Sequence, residues 1–154
     1  MEAVLLIGIQ GSGKSTFYRE RFLETHARIN LDVLKSRNRE RVSLQSCLSS
    51  GQPFVVDNTN VRTAERAVYI EAARRAGFRV IGYFFEVNLT EALRRNAQRT
   101  GSEKIPAAGI IGTLKRLERP TPVEGFDQLY RVTRDEADQF VVAPWAGAGE
   151  TASV

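Results

Sequence analysis

The chain has 154 residues, 42% of them hydrophobic and 26% charged, which describes one globular domain around one core and not an extended disordered chain. No apolar run approaches the ~20 residues that span a bilayer, and a lone cysteine, Cys47, gives neither an internal disulfide nor a cysteine-built zinc site. The net charge is +4 with a pI near 9.6, carried mostly by arginine, and that balance permits a nucleic acid partner without requiring one.

The opening MEAVLLIGI is short and lacks a basic flank or a small-residue cleavage site, so it is expected to be a buried strand of a cytoplasmic protein and not a signal peptide. Residues 3–8 are continuously apolar, as in a strand buried on both faces of a parallel sheet. A helix is expected from Lys14 to about Leu23. A short strand at 28–30 then leads into one helix from Asp32 to about Ser49, where Leu44, Cys47 and Leu48 keep helical spacing. Gly51 to Pro53 ends it, and FVVDN (54–58) is the next strand. Val61, Ala64, Val68 and Ala72 stripe a helix that stops at Gly77, and RVIGYFF (79–85) follows as a strand. Asn88 with Glu91 three residues on is a helix start, and that helix should run to about Thr100. A helix near 107–118 and strands near 129–133 and 139–142 complete the chain.

Strands alternating with helices give the α/β class: one doubly wound parallel sheet of about five strands with helices on both faces. Residues 1–143 are expected to form the domain, with a mobile lid at about 94–106. Residues 144–154 are small and polar after Trp145 and are expected to be a flexible tail.

Gly8-Ile-Gln10-Gly11-Ser12-Gly13-Lys14-Ser15 fits G-x-x-x-x-G-K-[ST] between an apolar strand and a helix, the context this motif requires. The glycines let the backbone amides from Gln10 to Thr16 turn inward around a phosphate. Lys14 should reach the β and γ oxygens, and the Ser15 hydroxyl should ligate Mg²⁺. Leu48 to Gln52 resembles the signature loop of transporter ATPases, but it precedes a strand instead of opening a helix. No N-K-x-D guanine motif is present, which argues against a GTPase.

Ligands of doubly wound sheets sit beyond the carboxyl ends of the strands, which puts Asp32 near a γ-phosphate. A carboxylate there can take a proton from an attacking hydroxyl, or it can simply cap a helix, and the segment alone allows both. Asp57 ends a buried strand where an aspartate orients Mg²⁺, with Asn58 and Asn60 beside it as acceptor contacts or helix caps. Arg95 and Arg99 lie four apart before TGSEK. On one helix face they would close over the phosphates and neutralise charge during transfer; a solvated arginine face is the plain alternative.

GIQGSGKSTF, NLDVLK, VVDNTN, RRNAQRTGSEKIP and TPVEGF stand in an order that resembles the kinase domain of polynucleotide 5′-kinases, over about residues 3–142. The resemblance implies the P-loop NTP hydrolase fold of kinase type, with ATP and Mg²⁺ handled by Lys14 and Ser15. It also implies Asp32 as general base for a 5′-hydroxyl, Asp57 or Asn58 by the acceptor or metal, and Arg95 or Arg99 as the lid arginine. Where phage-type enzymes have an arginine three residues after the base, this chain has Lys35, a charge without the bidentate fork. The expected function is transfer of the γ-phosphate of ATP to a hydroxyl, foremost a 5′-hydroxyl of DNA or RNA. A metabolite, nucleoside or antibiotic kinase is the alternative, and a non-catalytic nucleotide-binding module the third.

The remaining conspicuous residues have plain roles. His26 is expected at the surface, and Cys47, Tyr83, Phe84, Phe85 and Tyr18 in the core. Arg37, Arg39 and Arg41 could track a nucleic acid backbone or merely coat a helix.

Overall fold

The computed structural model describes residues 1–86, 88–101 and 105–146. Six strands form one sheet: β1 (Glu2–Ile7), β2 (Ala27–Ile29), β3 (Phe54–Val56), β4 (Arg79–Phe85), β5 (Gln128–Arg134) and β6 (Phe140–Pro144). Their order is β2-β3-β1-β4-β5-β6, parallel throughout except for the antiparallel β5–β6 edge. The parallel sheet of five strands is therefore extended by a sixth, returned by a hairpin in which Asp135 N donates to Gln139 O. Residues 3–7 are fully buried, as their unbroken apolar run requires. The chain leaves β1 toward β2 and β3 on one side, then crosses to β4 and β5 on the other. The crevice of such a sheet lies at that reversal, beyond the end of β1.

Among the described residues the α-helices are α1 (Lys14–Arg21), α2 (Leu31–Leu34), α3 (Arg37–Ser50), α4 (Thr63–Arg75), α5 (Leu89–Ala97) and α6 (Ala107–Arg116). On one face the core gathers Leu5, Ile7, Phe54, Val56, Tyr69, Ile70 and Phe84; on the other, Val4, Leu6, Phe17, Val55 and Phe85. Leu44 and Cys47 of α3 pack into the first of these as expected, with Leu48 at its margin.

Several expectations need correcting. The single helix over 32–49 is two. Lys35 takes a left-handed conformation, φ 67°, and closes α2, after which Ser36 caps α3 by accepting from Arg39 N. The stripe of α4 is not Val61, Ala64, Val68 and Ala72. Val68 is exposed, and the buried side chains are Arg66, Tyr69, Ile70 and Ala73. An apolar count misses this face because its central residue is a paired arginine. Pro144 completes β6 and Trp145 is buried against Phe84, its indole N–H donating to Pro120 O. The tail cannot begin at 144. Residues 102–104 of the expected lid and 147–154 of the expected tail lie outside the described residues.

Candidate active site

The loop after β1 is built as its glycines dictate. Gly8 N donates to Thr59 O at 2.9 Å, tying the loop to the chain beyond β3. Gly11 has φ 80°, and a Cβ there would lie 3.0 Å from Ala92 O of α5. Gly13, φ 97°, is the N-cap of α1 and makes no side-chain cap, so the amides at this helix start are left for an anion. The Lys14 ammonium donates to Gly8 O at 2.8 Å and Ile9 O at 3.0 Å. Burial lowers its pKa to about 8; Asp57 opposes that shift, Arg99 reinforces it and Asp32 opposes it. Lys14 thus feels residues from three separate segments.

Asp57 follows β3 with its carboxylate buried. Its Oδ2 accepts from Ser15 Oγ at 3.4 Å, from Arg28 Nε at 2.9 Å and from Arg28 Nη2 at 2.7 Å; the same Nη2 donates to Ser15 Oγ at 3.0 Å. The two expected metal ligands are therefore brought together. A hydroxyl and a carboxylate oxygen are the hard donors magnesium takes, completed by phosphate and water, and the pair already receives a cation in the form of Arg28. Ser15 and Asp57 fit the ion.

Asp32 is not a helix cap. Asn30 caps α2, its Oδ1 accepting from Val33 N at 3.1 Å, so Asp32 sits inside the turn and is exposed to the cleft. Among the described residues it makes no hydrogen bond or ion pair, leaving its oxygens available for a proton. What holds its platform is a set of side chains with no local sequence signature. Leu31 N donates to Asn58 Oδ1 at 2.9 Å, while Asn58 Nδ2 donates to Glu40 Oε2 at 2.9 Å and Tyr69 OH at 3.3 Å. The Tyr69 hydroxyl donates to Glu40 Oε1 at 2.7 Å, and burial followed by that bond pushes its pKa well above that of a free phenol. Asn30 Nδ2 also donates to Asp57 O, joining the Asp32 turn to the metal-ligand strand end. Asn58, expected at the acceptor, thus has its amide engaged in positioning α2.

The two lid arginines separate. Helix α5 stops at Ala97, and Asn96 pairs with both backbone groups of Ile105, turning the chain. The face that i, i+4 spacing would give Arg95 and Arg99 does not exist. Arg99 lines the cleft with Asp32 and Lys14. Arg95 instead donates to Glu91 at 3.1 Å and to Asp138 at 3.3 Å, and does not line the cleft. The loop reaches the same region through Gln10, whose Nε2 donates to Thr113 Oγ1 of α6 at 3.0 Å.

Asn60 is also corrected. It is buried, with φ 50°, and its Nδ2 donates to Leu6 O at 2.8 Å, so it secures the end of β1 instead of presenting an amide to a ligand. Its carbonyl accepts from Arg66 Nη1 at 2.8 Å, and Arg66 pairs bidentately with Glu124, Nε to Oε1 at 2.7 Å and Nη2 to Oε2 at 3.1 Å. Glu124 is the acid of TPVEGF. Lys35 and Thr16 line the cleft as expected. The cleft holds about 1320 Å³, more than the roughly 300–1,000 Å³ of a single small-ligand site, which leaves space for a nucleotide and an acceptor together. Of the remaining residues, Tyr18 is packed with its hydroxyl on His26 O, and His26 pairs with Glu2. Among the described residues no helix is long and apolar enough to cross a membrane, and no three acidic, histidine or cysteine side chains gather as a metal cluster.

A family model described as an AAA domain matches residues 35–120, more than half of the chain. A bifunctional polynucleotide phosphatase/kinase of Schizosaccharomyces pombe is 26% identical over 137 residues, covering 85% of this chain and 33% of that protein. The chain thus spans about a third of the length of that relative. Among solved structures, Chaetomium thermophilum Kti12 in complex with ADP-AlF3 superposes with a TM-score of 0.61 at 17% identity, covering 88% of this chain and 92% of the other. A gluconokinase from Sinorhizobium meliloti 1021 gives 0.58 at 19% identity, with 88% and 85% covered. At such identities these neighbours establish the fold alone, one mostly parallel α/β sheet with helices.

Proposed function

The chain belongs to the AAA domain family whose model it matches, and from that premise we propose that it is an ATP-dependent phosphotransferase acting on the 5′-hydroxyl of a polynucleotide. The observation that carries this is the meeting of Asp32, Arg99 and Lys14 in one cleft from three distant segments. A simple nucleotide holder needs only the last of them. The S. pombe relative, named for polynucleotide kinase activity, supports the choice of acceptor.

In this mechanism the α1 amides and Lys14 bind the β- and γ-phosphates. Asp32 takes the proton of the acceptor hydroxyl as its oxygen bonds to the γ-phosphorus and the bond to the ADP oxygen breaks. Arg99 neutralises the charge gathering on the transferred group. Magnesium held by Ser15 and Asp57 would supply positive charge at the β- and γ-oxygens. Lys35 and Arg37, exposed on the cleft wall, meet the acceptor's phosphates.

The test is to offer γ-labelled ATP with a panel of 5′-hydroxyl DNA and RNA oligonucleotides and small alcohols. Labelled oligonucleotide ends are expected, with an acceptor affinity that falls steeply with salt. Asp32→Ala is expected to lose transfer while still binding nucleotide; full turnover in that variant would remove the proposed base. One feature favours a small acceptor instead: Glu65 shares the cleft lining with Lys35 and Arg37, and a carboxylate repels a polyanion. Label on an alcohol, with salt-insensitive affinity, would select that outcome.

A further inference from the structure

Arg28 has no part in the proposed transfer, yet it makes three side-chain hydrogen bonds in the cleft. It comes from the three-residue edge strand β2, and its fork closes on Asp57 Oδ2 and on Ser15 Oγ. The guanidinium carbon also lies 5.6 Å from the centre of the Tyr18 ring. These two oxygens are the ones assigned to magnesium. The Asp57 side chain is 2% exposed, and a carboxylate that buried needs a compensating cation at all times. Arg28 is 28% exposed and opens on the cleft, so its fork can leave into water, which the carboxylate cannot do.

We infer that Arg28 is a resident counter-cation which competes with the metal for the Ser15–Asp57 pair and thereby sets how much magnesium nucleotide binding requires. It neutralises Asp57 and pins the Ser15 hydroxyl. A metal–nucleotide must turn the guanidinium out before it can seat. Arg28 is thus a positioning residue, and the inference rests on Ser15 and Asp57 being the metal ligands.

The experiment follows binding of fluorescently labelled ADP at fixed concentration while Mg²⁺ is titrated, in the wild type and in Arg28→Met. Loss of two charge-assisted hydrogen bonds to the competing cation is expected to lower the half-saturating Mg²⁺ by about tenfold or more. Arg28→Lys, which keeps the charge without the fork, should fall between the two. An unchanged or raised midpoint in Arg28→Met overturns the inference. If Mg²⁺ has no effect on binding even in the wild type, the metal ligands themselves are misassigned, which is a different failure. Should the methionine variant not fold, the wild type still decides: the Arg28 Nε–H resonance is expected to move with ADP plus Mg²⁺ and to stay with ADP plus EDTA. The same position in both conditions overturns the proposal.

Discussion

Two arginine–carboxylate pairs flank the segment 57–66, chemically alike and differently enclosed. Arg66 and Glu124 are 0% and 8% exposed, and the guanidinium has further partners on Asn60 O and Thr63 Oγ1. Arg28 and Asp57 share the chemistry, but the arginine lies on the wall of the cleft. In the closed pair nothing can replace either partner, so the pair is a fixture that holds the end of β1 through Asn60. In the open pair another cation can replace the guanidinium, so the same bond can be exchanged during function. Enclosure, not residue type, separates a strut from a switch.

The sharpest way to break that comparison is to remove the arginines one at a time. Arg66→Ala leaves Glu124 buried and unpaired and is expected to cost about 3–5 kcal/mol in chemical denaturation. Arg66→Met with Glu124→Leu should cost less than either single change, since no orphaned charge remains. If Arg66→Ala were tolerated within about 1 kcal/mol, typical of an exposed pair, the closed pair would not be a strut.

The lid offers the next contrast. Arg99→Ala is expected to slow transfer by about 10²–10³-fold, as for loss of a group stabilising transition-state charge. Arg95→Ala, whose partners Glu91 and Asp138 lie outside the cleft, should change the rate by no more than about threefold, in keeping with an ion pair away from the reacting groups. Equal losses in steady-state rates would put both arginines back at the phosphates.

Lys14 supplies a pH test of the open end. Its ammonium titrates at about 8 in the free protein, and a bound polyphosphate favours the charged form. Affinity for ADP measured by calorimetry should therefore fall above pH 8, by up to about tenfold per pH unit. Stability moves the other way. Between about 8 and 10.5 the folded chain holds fewer protons at Lys14 than the unfolded chain, so this group makes stability rise with pH there. Binding that is flat from pH 7 to 10 would remove Lys14 from phosphate contact.

The smallest expected effect completes the contrast. With Mg²⁺ present, Arg28→Met should cost no more than about 1 kcal/mol of stability, because the metal can take over the neutralisation of Asp57. A loss matching that of Arg66→Ala would mean that the open pair is structural too.

Much of this arrangement was legible in the residues. β4 matches its expected bounds, and the Asn88 cap forms, its side chain accepting from Glu91 N. Both depend on residues adjacent in the chain. The failures share a cause. The spacing of Arg95 and Arg99 puts them on one face only where the helix continues, but α5 ends at Ala97 and Asn96 pairs with Ile105, nine residues on. The segment around Asp32 allows a cap or a base, and the fold decides because Asn30 and Ser36 do the capping. Asn58 and Asn60 stand beside the site for packing reasons, their amides engaged by Glu40, Leu31 and Leu6.

By itself, then, the sequence determined the phosphate loop and the alternation of strands and helices, because backbone conformation and hydrophobic period are set by neighbours a few residues apart. Which arginine meets which carboxylate was decided only by the tertiary structure. Arg28 finds Asp57 across 29 positions, Arg95 finds Asp138 across 43 and Arg66 finds Glu124 across 58. A long charged side chain takes the partner that the fold brings within reach, and local pattern carries no record of that distance.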